Sequence, residues 1–204
     1  MATVLHINSS VRTQGSISRQ LTAEFLAQWK IAQPADRIIE RDLASNPVPH
    51  LTEQLMGAFF MPVDQRSPEQ AQTIQLSDEL VAELLAADVI VIGAPMYNFS
   101  VSSALKAWID HVTRTGVTFK YSDAGPVGLV HGKKVYVFTA SGGVYSEGPD
   151  QAMDFHGTYL RAVLGFIGLT DITFIHSEGL GIREDVVASA IAQSRQTITA
   201  LVAA

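Results

Sequence analysis

The stretch Asp88-Val89-Ile90-Val91-Ile92-Gly93-Ala94-Pro95-Met96-Tyr97-Asn98-Phe99 decides the fold. Residues Asp88–Gly93 carry an apolar run of one strand's length. Without polar alternation, such a strand is covered on both faces, as in a parallel sheet. Proline ends it, because Pro95 has no N–H to give the ladder. Asn98 suits a tight turn and leaves an amide free for a ligand. An amphipathic helix follows, with Leu105, Trp108, Ile109 and Val112 on its apolar side. A strand, an aromatic turn and a helix place side chains and backbone amides at the carboxyl end of a sheet, where open α/β folds bind ligands. Met96-Tyr97-Asn98-Phe99 is expected to grip one face of a flat molecule with polar edges.

On either side of this unit the same alternation repeats. Strands are expected at Thr3–Asn8, Arg37–Arg41, Lys134–Ala140 and Ile172–Ser177. Helices are expected from Ser16 to about Ile31, with Ile17, Leu21, Phe25 and Trp29 four apart on one face, and at Leu51–Phe60, Glu69–Ala86, Ser102–Arg114, Asp154–Gly165 and Asp185–Ala203. Five strands separated by helices imply a parallel sheet covered on both faces, with the order 2-1-3-4-5. Without repeats or a linker, residues 1–204 read as one domain. The two long connections, around 57–68 and 114–132, depart from a minimal version of the fold, and loops of that length are often functional.

Composition removes several classes of function. The 204 residues carry a net charge of −6, with no basic cluster beyond Lys133-Lys134, so a nucleic-acid partner is not expected. There is no cysteine, which removes disulfides, thiolate zinc sites and cysteine nucleophiles. The segment Met1–His6 reads as a strand, and no apolar run approaches the ~20 residues that span a bilayer, so no membrane association and a cytoplasmic location are expected. The six histidines show no His-x-x-x-His or HExxH spacing, so no metal site is expected.

The first strand ends in Asn8-Ser9-Ser10-Val11-Arg12-Thr13-Gln14-Gly15-Ser16-Ile17-Ser18-Arg19. One serine there would be a helix cap. Five hydroxyl residues in a loop that opens on a helix start point to a phosphate, because unpaired N–H groups and the positive dipole end receive anions. Ser10, Ser16 and Ser18 offer hydroxyls, and Arg12 or Arg19 offers charge. This is not a Walker loop: before Gly132-Lys133-Lys134, Val127 replaces the first glycine, and Lys134 replaces Ser/Thr. It is not a dinucleotide fingerprint either, since Gly179-Leu180-Gly181 is followed by Glu184 in the third position. Ser141 lacks a Gly-x-Ser-x-Gly context, which argues against a hydrolase. The fourth strand ends in Thr139-Ala140-Ser141-Gly142-Gly143, where paired glycines let backbone amides approach a ligand closely. Three neighbouring strand ends thus offer phosphate, ring-face and ring-edge contacts. Phe59-Phe60 is unusual, because adjacent side chains on a helix cannot share one core.

The serine loop, Ala94-Pro95-Met96-Tyr97-Asn98-Phe99, Ser141-Gly142-Gly143 and Gly116-Val117-Thr118-Phe119-Lys120-Tyr121 together resemble the bacterial FMN-dependent NADH azoreductase and NADH:quinone oxidoreductase family, across essentially the whole chain. The resemblance implies a flavodoxin-like three-layer sandwich and a homodimer with FMN sites at the interface. It implies that Ser10, Ser16, Ile17 and Ser18 hold the FMN phosphate, that Met96, Tyr97, Asn98 and Phe99 line the isoalloxazine, and that Ala140, Ser141, Gly142 and Gly143 meet its pyrimidine edge. Phe60, Tyr121 and Phe166 match aromatics of the family's substrate pocket; Tyr145 is added to them, with water or Tyr145 as the source of protons. Relatives often carry arginine where Ser141 stands, a difference that bears on substrate preference.

The implied activity is ping-pong transfer from NADH or NADPH through FMN. A quinone takes one cycle, and an azo compound takes two, through a hydrazine to two amines. No protein nucleophile is expected, because the cofactor carries the chemistry. The rival reading is a flavodoxin-type electron carrier without its own small-molecule substrate. The length of the two connections, which suggests an enclosed pocket, argues against it.

Overall fold

A computed structural model describes residues 1–203. Five parallel strands form the central sheet: β1 (Thr3–Asn8), β2 (Arg37–Asp42), β3 (Val89–Pro95), β6 (Lys134–Ala140) and β7 (Asp171–Ser177), in the order β2-β1-β3-β6-β7. The succession matches the expected 2-1-3-4-5 once the two strands of a separate antiparallel hairpin, β4 (Phe119–Ser122) and β5 (Gly125–Gly128), are left out of the count. That hairpin lies inside the long connection expected around 114–132. Its turn is Asp123-Ala124, between the paired residues Ser122 and Gly125.

The strands alternate strictly between two cores. Leu5, Ile7, Ile90, Ile92, Val135 and Val137 face one side, under α3 (Pro68–Ala86), α4 (Ser103–Val112) and α5 (Phe155–Phe166). Val4, Val89, Val91, Tyr136 and Phe138 face the other, under α1 (Ile17–Ala32) and α6 (Glu184–Ala203). This period of two is what a pleated strand imposes. Every residue of β3 is buried, as its unbroken apolar run requires. α2 (Glu53–Phe60) packs on α3 through Leu55, Ala58 and Ile74.

Helix starts are set by side-chain caps. Thr52 caps α2, which therefore begins at Glu53 and not at Leu51. Ser67 and Gln70 form a reciprocal capping box ahead of α3, with Pro68 at its first position. Asp154 caps α5 by accepting from the amides of His156 and Gly157. α4 ends at Val112, two residues short of the expected Arg114, because the Arg114 amide donates to the Thr118 hydroxyl at 2.8 Å. Among the described residues no helix is long and apolar enough to cross a membrane.

Candidate functional site

Parallel register brings the carboxyl ends of β1, β3 and β6 together: Asn8 stands opposite Gly93, and Pro95 opposite Ala140. A cleft of about 410 Å³ opens there, within the roughly 300–1,000 Å³ typical of cofactor sites. Ser10, Arg12, Gly15, Ser16 and Ile17 line it from the first loop, Pro95, Met96 and Tyr97 from the second, and Ala140, Ser141 and Gly142 from the third. A fourth wall, Leu180, Gly181 and Val187, was missed by sequence reasoning. The one sequence signal for it is the pair Gly179 and Gly181, which as a pattern resembles only a broken dinucleotide fingerprint.

The first loop ends on α1. The Ser16 hydroxyl accepts from the Arg19 amide at 3.5 Å and lies 3.2 Å from the Ser18 hydroxyl. The amides of Ser16, Ile17 and Ser18 meet no acceptor among the described residues, and no acidic side chain stands in the first turn. Unpaired amides at the positive end of a helix dipole are the kind of group that suits an anion. Ser18, expected at the phosphate, does not line the cleft: the whole residue is buried beneath the start of α1. The Ser10 hydroxyl accepts from the Arg12 amide at 3.3 Å and lies 3.4 Å from the Tyr97 hydroxyl. Of the two candidate cations, only Arg12 faces the cleft. Arg19 is turned away, bidentate on Asp42 at 2.7 and 2.7 Å. Those bonds are the main reason the Asp42 carboxyl titrates well below the usual carboxylate range.

Tyr97 and Ser100 exchange backbone hydrogen bonds of 2.9 and 3.1 Å around Asn98 and Phe99, whose φ angles are 48° and 68°. Two left-handed residues in succession make a type I′ turn. Asparagine adopts that conformation readily; phenylalanine does so only under strain. The Phe99 ring meets Tyr145 edge-on at 6.1 Å. Removing the ring while relieving the strain separates the two effects. Phe99→Gly is expected to be about 1 kcal/mol more stable than Phe99→Ala in urea titrations, since only glycine tolerates the positive φ without strain.

In the third loop the carbonyls are consumed. Those of Ser141, Gly142 and Gly143 accept from the amides of Leu180, Gly181 and Gly179 at 3.0, 2.9 and 3.0 Å. The Ser141 hydroxyl donates to the Gly143 carbonyl at 2.9 Å. The amides of Gly142 and Gly143 are left without an acceptor among the described residues. Gly143 stands just outside the lining. A Cβ there would lie 3.0 Å from the Tyr145 hydroxyl oxygen, so glycine is what lets the Tyr145 ring fold over the loop. Glu178 fixes the next turn by accepting from the amides of Tyr145 and Ser146.

The remaining expected residues lie elsewhere on the chain. Asn98 lines a second hollow of about 600 Å³ on the far side of Tyr97, with Ser102, Lys106 and Tyr159. Phe60 and Tyr121, 69% and 70% exposed, line a third of about 310 Å³ that shares no residue with the cleft. Phe166 lines none of these three; its ring packs on Phe119 at 4.5 Å, under the hairpin. Phe59 turns inward, with the Arg114 guanidinium 4.4 Å over its ring, while Phe60 stays exposed, and both reach this third hollow.

Behind the third loop, His156 is buried beside Asp154 and His176, and its Nε2 has no partner among the described residues. Burial lowers its pKa from the ordinary 6.5 to about 4. The unfolded chain therefore takes up the proton first as pH falls from 6.5 to 4. Stability is unaffected above that window and is lost through it, by on the order of 3 kcal/mol. The slope of unfolding free energy against pH between 4 and 6.5 is expected to be shallower in His156→Leu. An unchanged slope would show that His156 titrates alike in both states.

Residues 2–202 match the family described as flavodoxin-like fold. The chain is 62% identical, over 204 residues and 100% of both chains, to an FMN-dependent NADH:quinone oxidoreductase of Herminiimonas arsenicoxydans. It is 55% identical over 185 residues, 91% of this chain and 92% of the relative, to FMN-dependent NADH:quinone oxidoreductase 2 of Pseudomonas fluorescens. Among solved structures it resembles azoreductase AzrA, with a TM-score of 0.92, 31% identity and coverage of 98% and 99%. It also resembles an FMN-dependent NADH-azoreductase of Bacillus anthracis solved with FMN, with a TM-score of 0.88, 25% identity and coverage of 99% and 100%. With this sheet order and the cleft at its carboxyl edge, the chain belongs to the flavodoxin-like family of FMN-dependent NADH:quinone oxidoreductases, whose structural neighbours are azoreductases.

Proposed function

We propose that the cleft binds FMN and that the protein reduces quinones by two electrons with NADH or NADPH as donor, and reductively cleaves aromatic azo compounds to amines. One observation carries this reading: unpartnered amides stand at separate ends of one cleft, those of Ser16 and Ile17 at a helix start and that of Gly142 after β6. A phosphate suits the first and the polar edge of a ring suits the second. When bound, FMN supplies two-electron transfer between a reduced nicotinamide and the acceptor.

The chain's own residues bind and orient. The Ser16 and Ile17 amides and the Ser10 hydroxyl hold the phosphate, and Arg12 offsets its charge. Met96 and Tyr97 bound the ring face, and the Asn98-Phe99 turn holds them in place. The backbone of Ala140, Ser141, Gly142 and Gly143 meets the pyrimidine edge, where fixed amide dipoles stabilise negative charge. Tyr145, folded over Gly143, places a hydroxyl beside that edge as a proton source.

The aromatic hollow of Phe60 and Tyr121 lies away from the cleft of its own chain. A homodimer in which the partner's hollow closes over this cleft accounts for both surfaces and gives flat acceptors a stacking wall. Phe166 supports that wall from beneath, through Phe119. A cytoplasmic location belongs to the same proposal and is checked by cell fractionation.

The purified protein is expected to carry a flavin spectrum, to oxidise NADH directly with a naphthoquinone, to bleach an azo dye with two NADH per bond, and to sediment as a dimer. An electron carrier of the flavodoxin type would bind FMN and leave NADH untouched, and that result would sink the enzyme reading. The relatives and the separate aromatic hollow favour the enzyme.

A further inference from the structure

Arg19 is the third residue of α1, a cation at the end of a helix whose dipole disfavours one. It does not line the cleft, yet Ser10 does. Its guanidinium forks onto both carboxylate oxygens of Asp42 at 2.7 Å and donates to the Ser10 carbonyl at 2.9 Å. Asp42 is itself held by the amides of Ala44 and Ser45 at 2.9 and 3.3 Å. The arrangement leaves the Arg19 Nε buried and without a partner among the described residues. A donor left unmet, and a charge placed against the helix field, are local costs that the helix alone does not explain.

We propose that Arg19, anchored by Asp42, is a positioning residue of the phosphate loop: it draws the Ser10 carbonyl away from the cleft so that amides and hydroxyls, and no carbonyl oxygen, face the bound phosphate. This rests on the reading that the cleft binds FMN. The carbonyl oxygen and the hydroxyl of Ser10 are thereby separated. The oxygen is fixed on the Arg19 side, and the hydroxyl stays with the Arg12 amide and Tyr97 in the cleft. A carbonyl oxygen free to swing inward would face the phosphate with like charge. Lysine cannot replace the fork, because a point charge does not hold two carboxylate oxygens and a carbonyl in one plane. The Asp42 carboxyl stays ionised far into acid, so the clamp is in place throughout the neutral range.

The test compares FMN with riboflavin, which differ only in the phosphate. The full-length protein, stripped of cofactor, is titrated with each by fluorescence quenching in phosphate-free buffer, for the wild type, Arg19→Lys, Arg19→Met and Asp42→Asn. Arg19→Met and Arg19→Lys are expected to weaken FMN by about ten- to a hundredfold while riboflavin changes by less than about threefold. Asp42→Asn is expected to move the same way by a smaller factor, and it carries the test if the Arg19 variants do not fold. The phosphorus NMR shift of bound FMN is expected to move in each variant. Equal weakening of both ligands would make Arg19 a general structural residue, and no weakening of FMN would make it irrelevant to the site; either result overturns the proposal. A wild type that binds FMN no better than riboflavin also overturns it, since no phosphate site would exist to be positioned. A folded wild type that binds neither ligand overturns the proposed function, and this proposal with it.

Discussion

Replacing Ile17 by proline is expected to weaken FMN binding by about ten- to a hundredfold with the helix intact, because it deletes one amide donor, alongside a trimmed side-chain contact with the core. Ile17 is the first residue of α1, the position where proline is best tolerated, since the N–H it lacks has no partner within the helix. The residue before it, Ser16, has φ −90° and ψ 117°, the extended conformation that a following proline demands. The Ile17 amide has no acceptor among the described residues, so the folded chain without ligand does not depend on it. The control is Ile17→Val, which trims the side chain and keeps the amide. It is expected to bind FMN within about threefold of the wild type. If proline and valine bind FMN equally well, the anion does not sit on this helix start.

The central sheet is legible in the sequence because its interior strands are apolar runs with polar boundaries. β3 has no polar residue to interrupt it, and β1 and β6 present large apolar side chains to both faces. The β4–β5 hairpin has no such signature. Its strands are four residues long, Pro126 and two glycines interrupt β5, and Tyr121 and Val127 point to solvent. What holds it is a contact with residues 167–168, some forty positions away along the chain, which no local pattern announces. The three loops of the cleft were legible for a topological reason: loops that follow neighbouring parallel strands must share an edge. The fourth wall was not, because Leu180 and Gly181 reach the cleft by main-chain hydrogen bonds to Ser141 and Gly142, and backbone pairing between loops leaves no trace in side-chain types. Arg19 was read as a charge for the phosphate because a sequence displays charges without their partners. Asp42, at the end of the next strand, claims it.

Gly128→Val is expected to free the hairpin from the body of the protein. A Cβ at Gly128 would stand 2.2 Å from the Gly168 amide nitrogen, 2.4 Å from the Ile167 carbonyl carbon and 2.5 Å from the Gly168 Cα. All three are backbone atoms at the end of α5, so no change of rotamer makes room. Undocking would break the 2.9 Å bond from the Val130 amide to the Ile167 carbonyl, and would expose Phe119, now 6% exposed and packed on Phe166. Burial of one such ring is worth about 1.5–3 kcal/mol, and a backbone hydrogen bond about 1 kcal/mol more. The loss stays local, since the hairpin shares no hydrogen-bonded ladder with the five-stranded sheet. FMN affinity is therefore expected to hold within about threefold, because no residue of 119–128 lines the cleft. Turnover of a quinone is expected to drop by at least about tenfold, as displacement of a substrate-positioning wall by even an ångström commonly does. Limited proteolysis is expected to cut between residues 115 and 132 in the variant and to spare the wild type. A variant that resists the protease and turns over quinone normally would show that the docked hairpin has no part in the acceptor site.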